Sequence, residues 1–492
     1  MNYLLAIDQG TTGTTSLLID AKTLRILDKE KIDYRQIFPQ PSWVEHNLDD
    51  IWRSVEKSVA TVINRQKINA KDIMAIGITN QRETTCAYDK KGKPLANAIV
   101  WQDRRTAGFC EEHREVYKKN LQQKTGLPLD PYFSATKMRW LLDHVPAVKT
   151  ASDRGDLYFS TIDTFLLYRL TNGRNFSTEP SNASRTMLMN LETFQWDHDL
   201  INFFGLSESF LPAIQESFSH FGKTEKCSFL PDGIPILSIL GDQQAALFGQ
   251  ACVNTGDLKC TYGTGAFLLL NTGETIVRSQ TGLLTTAAFS FEGRKVYALE
   301  GAAYIAGAAV QWLRDNLKCI DSSSEVESLA TEVKDLSQMA DVLFLPFFTG
   351  IGTPYWHSEA KAAILGLTRG TTKAHIARAC LEGIALSVND SVASFKKDFQ
   401  QLNDIRVDGG ACANNLLLQI QANFSGKKII RPQVIDTTAF GVAMGALVGK
   451  KEITLDDLSK YWKEQKEFTP EVNSYYPQKK NLWDSSIKKL FL

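Results

Sequence analysis

At 492 residues the chain is longer than one hydrophobic core normally serves, so two domains are expected. Its 55 Lys and Arg balance 55 Asp and Glu, and no apolar run approaches membrane-spanning length, so neither nucleic acid nor membrane is an expected partner. The eight cysteines (86, 110, 227, 252, 260, 319, 380 and 412) form no CxxC pair, and the opening apolar run is cut at Asp8 without a basic flank. They read as reduced thiols of a cytoplasmic protein that has no signal peptide.

Tyr3 to Ile7 and Leu17 to Ile19 flank a turn of Asp, Gln, Gly, Thr and Ser, which predicts a hairpin. Gly10 and Gly13 let the backbone approach a ligand, the threonines add hydroxyls, and successive turn N–H groups form an anion-binding nest. Asp8 closes the first strand, and a carboxylate beside such a nest points to a shared metal ion. For an isolated GTTGTTS, a solvated hairpin tip is the alternative. A strand is expected from Leu24 to Ile32, then a helix with Ile51, Trp52, Val55, Val59 and Val62 on one face and Asp49 and Asp50 at its start. Ile73 to Ile78 has the pattern of a buried parallel strand and runs into Asn80-Gln81-Arg82-Glu83-Thr84-Thr85. Arg82 and Glu83 are either a surface ion pair or a polar pocket able to hold vicinal hydroxyls.

Ala98 to Val100 predicts another buried strand, ending at Trp101, which serves either the core or a pocket wall. Asp130-Pro-Tyr132-Phe-Ser leads into an amphipathic helix, Tyr158 to Leu170 reads as strand then helix, and Thr178 to Asn190 as a polar loop with a hairpin. The strand from Ile236 to Leu240 ends at Asp242, a candidate catalytic carboxylate and an apt helix N-cap. The second half repeats the opening device: Leu258 to Tyr262, Gly263-Thr264-Gly265, Ala266 to Leu270. Strands at Leu283 to Thr286 and Val296 to Leu299 precede a small-residue helix from Ala302 to Asn316, with Gly307 and Gln311 on one face. A strand ending in Gly409-Gly410 precedes a helix, Gly410 leaving room for a flat ring and Asn414 lying one turn on. The last helix is expected at Ala439 to Val448, its glycines serving helix-on-sheet contact. Walker A, GxGxxG and HExxH patterns are absent.

Two strand–glycine/threonine hairpins, carboxylates at Asp8 and Asp242, and a late strand–GG–helix unit resemble the actin, Hsp70 and sugar-kinase ATPases. That resemblance implies an α/β fold of two RNase H-like domains, residues 1–248 and 249–492, facing each other across a catalytic cleft. The ordered motifs NQRETT, WQDRRT, DPYFSATK, GDQQAALFGQ and TYGTG, the signature YFSATKMRW and the opening GLTRG of a second signature are similar to the FGGY carbohydrate kinase family, from Tyr3 to about Gly449. NQRETT with DPYFS points to the branch whose acceptor is glycerol.

The resemblance implies an ATP-dependent phosphotransferase with an alcohol acceptor. Arg82, Glu83, Tyr132, Asp242 and Gln243 would hold glycerol, with Trp101 and Phe267 against its carbons and Asp242 as the catalytic residue. Thr11, Thr12, Gly13, Thr15 and Thr264 would meet the phosphates of ATP or ADP; Gly307, Gln311, Gly410 and Asn414 would hold the nucleotide. Asp8 and Asp242 would sit near Mg²⁺, through water, in a homodimer or homotetramer. Thr15 stands where many members carry a phosphate-proximal arginine. The loop at 226–233 lacks the Gly-Gly-x-Arg of members that bind fructose bisphosphate, and His220 is out of place for a phosphorylatable histidine. A pentulose or gluconate kinase, or a conformational ATPase of the actin and Hsp70 type, are the alternatives.

Overall fold

β1 (Tyr3–Gln9) and β2 (Gly13–Asp20) form the predicted antiparallel hairpin, with Asp8 opposite Thr15. β3 (Ile26–Asp33) pairs with β2, bringing Lys31 opposite Thr15. The computed structural model describes residues 2–339 and 341–491. α1 (Leu48–Gln66) starts where the Asn47 side chain accepts the N–H groups of Asp49 and Asp50, and it buries Ile51, Trp52, Val55, Val59 and Val62. Its apolar stripe covers the sheet as the helical period requires. β4 (Ile73–Asn80) is parallel to β1, and β5 (Ile236–Gly241) is parallel to β4. The sheet order is β5-β4-β1-β2-β3. Between β4 and β5 runs α2 (Ser134–His144), and α3 (Asp242–Gly249) follows β5 directly.

The second sheet has β6 (Leu258–Tyr262), β7 (Ala266–Gly273), β8 (Leu284–Phe291), β9 (Arg294–Ala303), β10 (Ile405–Asp408), β11 (Ile429–Pro432) and β12 (Glu464–Phe468). Its order is β8-β9-β7-β6-β10-β11-β12. The run β9-β7-β6-β10-β11 repeats β3-β2-β1-β4-β5, with an antiparallel meander and then two parallel neighbours. The expected pair of like α/β units is therefore present. The second carries α4 (Gly307–Asp315), α5 (Lys373–Asp398), α6 (Asn415–Ser425), α7 (Thr437–Gly449) and α8 (Tyr475–Phe491).

Four expectations need correcting. β9 extends through Ala303, so the small-residue helix begins at Gly307 rather than Ala302. Segment 178–190 holds a short helix, Pro180–Ala183, capped by the Glu179 side chain; Thr178 at its start pairs in parallel with Ile214, and Met189–Asn190 pairs with Gln195–Trp196. α7 is not the last helix, because α8 follows and buries Trp483. The α7 glycines serve helix-on-helix as well as helix-on-sheet contact. A Cβ on Gly441 would stand 2.0 Å from Ala245 O of α3, and one on Gly449 2.4 Å from Leu237 O of β5. From α3, a Cβ on Gly249 would stand 2.0 Å from Thr437 O. Helix α7 of the second half thus packs into the core of the first, and the crossing locks the helix that begins with Asp242. The cysteines are free, and no described helix is long and apolar enough to cross a membrane.

Candidate active site

The two hairpin turns are closed in the same way. Gly10 N donates to Gly13 O at 2.9 Å, and Gly263 N donates to Gly265 O at 2.8 Å. Behind the first turn, Tyr34 Oη donates to Gly10 O (2.6 Å) and Thr11 O (3.0 Å), Gln36 Nε2 to Thr11 O (2.9 Å), and Tyr34 N to Thr12 O (3.2 Å). His46 holds Gln36 through Oε1 at 2.6 Å, and burial lowers the imidazole to about 4, so it is neutral. Behind the second turn, Ala306 and Ala308 N–H donate to Thr264 O, and Gly307 N–H to Gly263 O. With the carbonyls occupied, the N–H groups of Thr11, Thr12 and Thr264 have no partner among the described residues. Thr12 and Thr264 are exposed. Donor-only turns of this kind suit an anion.

Gly13 has a different reason from the one expected. A Cβ there would stand 2.6 Å from Asp33 Oδ1 and 2.7 Å from Ile32 O, so it is the neighbouring β3, not a ligand, that requires glycine. Gly307 is likewise confined by Gly263 O, 2.7 Å from its added Cβ. Gly410 is open, with nothing within 4 Å of an added Cβ. Its neighbour Gly409 (φ +86°) presses on Tyr262, which leads into the second turn. Asn414 caps α6 through Oδ1, 2.8 Å from Leu417 N, and Gln311 is exposed on α4. The second turn, the start of α4 and the Gly409-Gly410 turn therefore meet at the end of β6.

Arg82 and Glu83, just beyond β4, are 3% and 2% exposed, which rules out the surface ion pair. They are only loosely paired with each other, at 4.0 Å. Arg82 gives both terminal nitrogens to Glu300 of β9, at 2.6 and 2.9 Å, and its Nε lies 3.3 Å from Asp242 Oδ1. Glu83 accepts from Arg185 Nε at 2.5 Å, and Arg185 Nη2 reaches Glu300 at 3.2 Å. Glu83 has φ +60°, in the left-handed region that is costly for a non-glycine residue. Arg185 and Glu300 were not predicted. Burial works against the charge on Glu300, but Arg185 and Arg82 outweigh it and hold the carboxyl down to about 2.

Tyr132 packs edge-on to Trp101 at 5.6 Å, with the Arg185 guanidinium over its ring at 5.4 Å. Trp101 Nε1 donates to Thr11 Oγ1 at 2.9 Å, so a wall of this pocket is bonded to the first turn. Phe267 is half-buried on β7, opposite Thr261. Asp242 is not the N-cap of α3; Gly241 is, and Asp242 is the first helical residue, accepting Gln243 N at 2.7 Å. Burial raises its carboxyl, against the pull of Arg82 and Lys259. Asp8 is raised to about 7 by burial and by the carboxylates of Asp242 and Asp436, with Lys29 and Lys31 opposing.

No three His, Cys, Asp or Glu side chains gather as a metal cage among the described residues. An Asp8 carboxyl raised by burial and by its Asp242 and Asp436 neighbours, without a full cage, fits Mg²⁺, which keeps several waters and takes its remaining oxygens from phosphates.

Residues 3–249 match the N-terminal domain of the FGGY family of carbohydrate kinases, and residues 258–449 match its C-terminal domain. The chain belongs to this family. Among FGGY relatives, the glycerol kinase of Bdellovibrio bacteriovorus is 50% identical over 476 residues, covering 95% of this chain and 94% of that one. The glycerol kinase of Staphylococcus haemolyticus is 44% identical, covering 96% and 94%. Plasmodium falciparum glycerol kinase, solved with ADP, aligns with a TM-score of 0.92 at 36% identity, covering 100% of this chain and 99% of that one. A xylulose kinase from Lactobacillus acidophilus shares the FGGY fold, with a TM-score of 0.89 at 20% identity, covering 100% and 98%.

Thr15 lies between Asp8 on β1 and Lys31 on β3 in the cross-strand register. Thr15→Arg tightens ADP binding by about tenfold, the low end for a charge-assisted bond, because Lys31 already stands beside it. Calorimetry that finds unchanged or weaker binding would mean that Lys31 already meets the phosphate.

Proposed function

We propose that this FGGY kinase transfers the γ-phosphoryl group of ATP to a terminal hydroxyl of glycerol, giving sn-glycerol 3-phosphate and ADP. The observation that carries the reading is the bond from Trp101 to Thr11, which sets the hydroxyl-binding pocket against a phosphate-binding turn. The likeness to glycerol kinases over 95% of the chain supports the choice of acceptor. Arg82, Glu83, Tyr132 and Gln243 hold the hydroxyls, with Trp101 and Phe267 against the carbons. Thr11, Thr12, Thr15 and Thr264 meet the phosphates, and Gly307, Gln311, Gly410 and Asn414 the nucleoside. The two domains are residues 1–248 and 249–492, supported by the family's two matched ranges. The enzyme works in the cytoplasm as a homodimer or homotetramer.

Asp242 aligns the attacking hydroxyl. Its oxygen bonds to the γ-phosphorus as the bond to the β–γ bridging oxygen breaks, and the hydroxyl proton passes to Asp242. Transfer through a loose transition state asks mainly for positioning and charge neutralisation. An unperturbed aspartate, with a pKa of about 3.9, is a weak base for an alcohol. The raised Asp242 carboxyl is a better one, and the proton moves late. Asp8 and Asp242 would hold Mg²⁺ through water, and the ion would supply neutralisation of phosphate charge.

A coupled assay of ADP release with glycerol, xylulose, gluconate, propane-1,2-diol or no acceptor tests this. Glycerol is the preferred acceptor, and propane-1,2-diol is worse by roughly 10²-fold or more, because a site built for a hydroxyl is left with unpaired buried groups. Xylulose turned over as fast as glycerol would move the chain to another FGGY substrate. ADP release indifferent to every acceptor would favour a conformational ATPase.

A further inference from the structure

Lys259, the second residue of β6, is completely buried. Its ammonium donates to Gln243 Oε1 at 2.5 Å, Thr261 Oγ1 at 2.9 Å and Phe267 O at 3.3 Å. Three donors thus find three neutral oxygens, and no carboxylate among the described residues forms an ion pair with it. Burial pulls the ammonium below its usual range, while Asp408 and Asp242 act on it favourably from farther away. A buried cation with only neutral ligands is costly, and such a charge calls for a reason.

Gln243 supplies one. An ammonium has donors only, so the amide must turn its oxygen to Lys259 and its NH₂ group away. Among the described residues that NH₂ group has no partner, and Gln243 is half-buried beside Asp242. The lysine comes from the second sheet, whereas Gln243 belongs to the first residues of α3 in the other half. An otherwise free-turning amide is thereby fixed as a donor at the point where the two halves meet.

We infer that Lys259 is a positioning residue for phosphoryl transfer: it orients the Gln243 amide so that its NH₂ group meets an acceptor hydroxyl beside Asp242, and it sets a fixed positive charge behind that site. The inference rests on the reading of this pocket as the glycerol site.

Lys259→Met keeps the length and removes the charge. Glycerol-dependent kcat/KM falls by about 10–100-fold, the loss expected for a charge-assisted bond, while ADP affinity by calorimetry stays within about twofold. In a Gln243→Ala background the same change costs only about threefold more, because the two side chains act as one unit. Gln243→Glu keeps an oxygen for Lys259 but puts a second oxygen where the NH₂ stood. It lowers kcat/KM to a similar extent and gives an answer even if Lys259→Met does not fold. Full additivity in the double-mutant cycle, or parental turnover in Gln243→Glu, overturns the inference. A parent enzyme that releases no ADP in response to glycerol overturns the glycerol reading itself, and this inference with it.

Discussion

Asp242→Asn lowers glycerol-dependent turnover by roughly 10²–10⁴-fold, the range for a positioned acid–base group. The substitution keeps the shape of the side chain, so the loss is electrostatic. Asp242 is the first residue of α3, and the cap position belongs to Gly241. Helix stability therefore does not depend on its carboxylate as it would at an N-cap. Gln243 N donates to the carboxylate at 2.7 Å and Arg82 Nε lies 3.3 Å from the same side chain, and an amide oxygen can accept from both donors. The crossing of α3 with α7, closed by Gly249 and Gly441, holds the helix in place whichever side chain begins it. The variant should thus unfold within a few degrees of the parent and bind ADP normally, yet lack the group that receives the hydroxyl proton. Turnover within a few-fold of the parent, measured by ADP release at saturating glycerol, would remove Asp242 from the chemistry.

The elements legible in the sequence are those with a local period or a local turn chemistry. β1, β2, β4, β6 and β7 are short apolar runs, and the turns between paired strands carry the Gly and Thr that mark them. Arg185 and Glu300 had no such signal. Arg185 lies in a run of small polar residues after Asn182, and its partner Glu83 is 102 positions away. The Arg82–Glu300 bond spans 218 positions. Pairing over such distances leaves no periodicity to read. One clue was present: Glu300 interrupts the apolar run Tyr297 to Ala303, and a carboxylate inside a buried strand needs a partner. The strand expected from Val296 stops at Leu299, just before that carboxylate. β9 instead continues through it, since β7 pairs with it as far as Ala303. The small-residue helix expected from Ala302 begins instead at Gly307, where the backbone turns to bond the second hairpin.

Glu300→Gln is expected to destabilise the fold by about 3–5 kcal/mol, the cost of leaving buried charge uncompensated. Glu300 is 1% exposed and takes both terminal nitrogens of Arg82 and one of Arg185. Without its charge, two buried guanidiniums face each other with only Glu83 and Asp242 left to share. The linkage argument gives a similar magnitude and a sign that can be checked. The carboxyl is held at about 2, against an ordinary 4.5, so ionisation contributes about 3 kcal/mol to the folded state. A lowered carboxyl pKa stabilises above the unfolded value and loses that contribution as pH falls. The stability gap between parent and variant should therefore be full above 4.5 and shrink as pH is lowered towards 2. Arg294→Gln is the contrast: its pair with Glu274 is about 60% exposed on both sides, so its loss costs about 0–1 kcal/mol. The same Glu300→Gln variant should raise KM for glycerol more than it lowers kcat, because Arg82 loses its anchor while Asp242 keeps its place on α3. Denaturant titrations at several pH values measure the first effect and initial rates the second. A pH-independent gap, or an unchanged KM, would mean that Glu300 neither carries the charge balance nor sets the acceptor pocket.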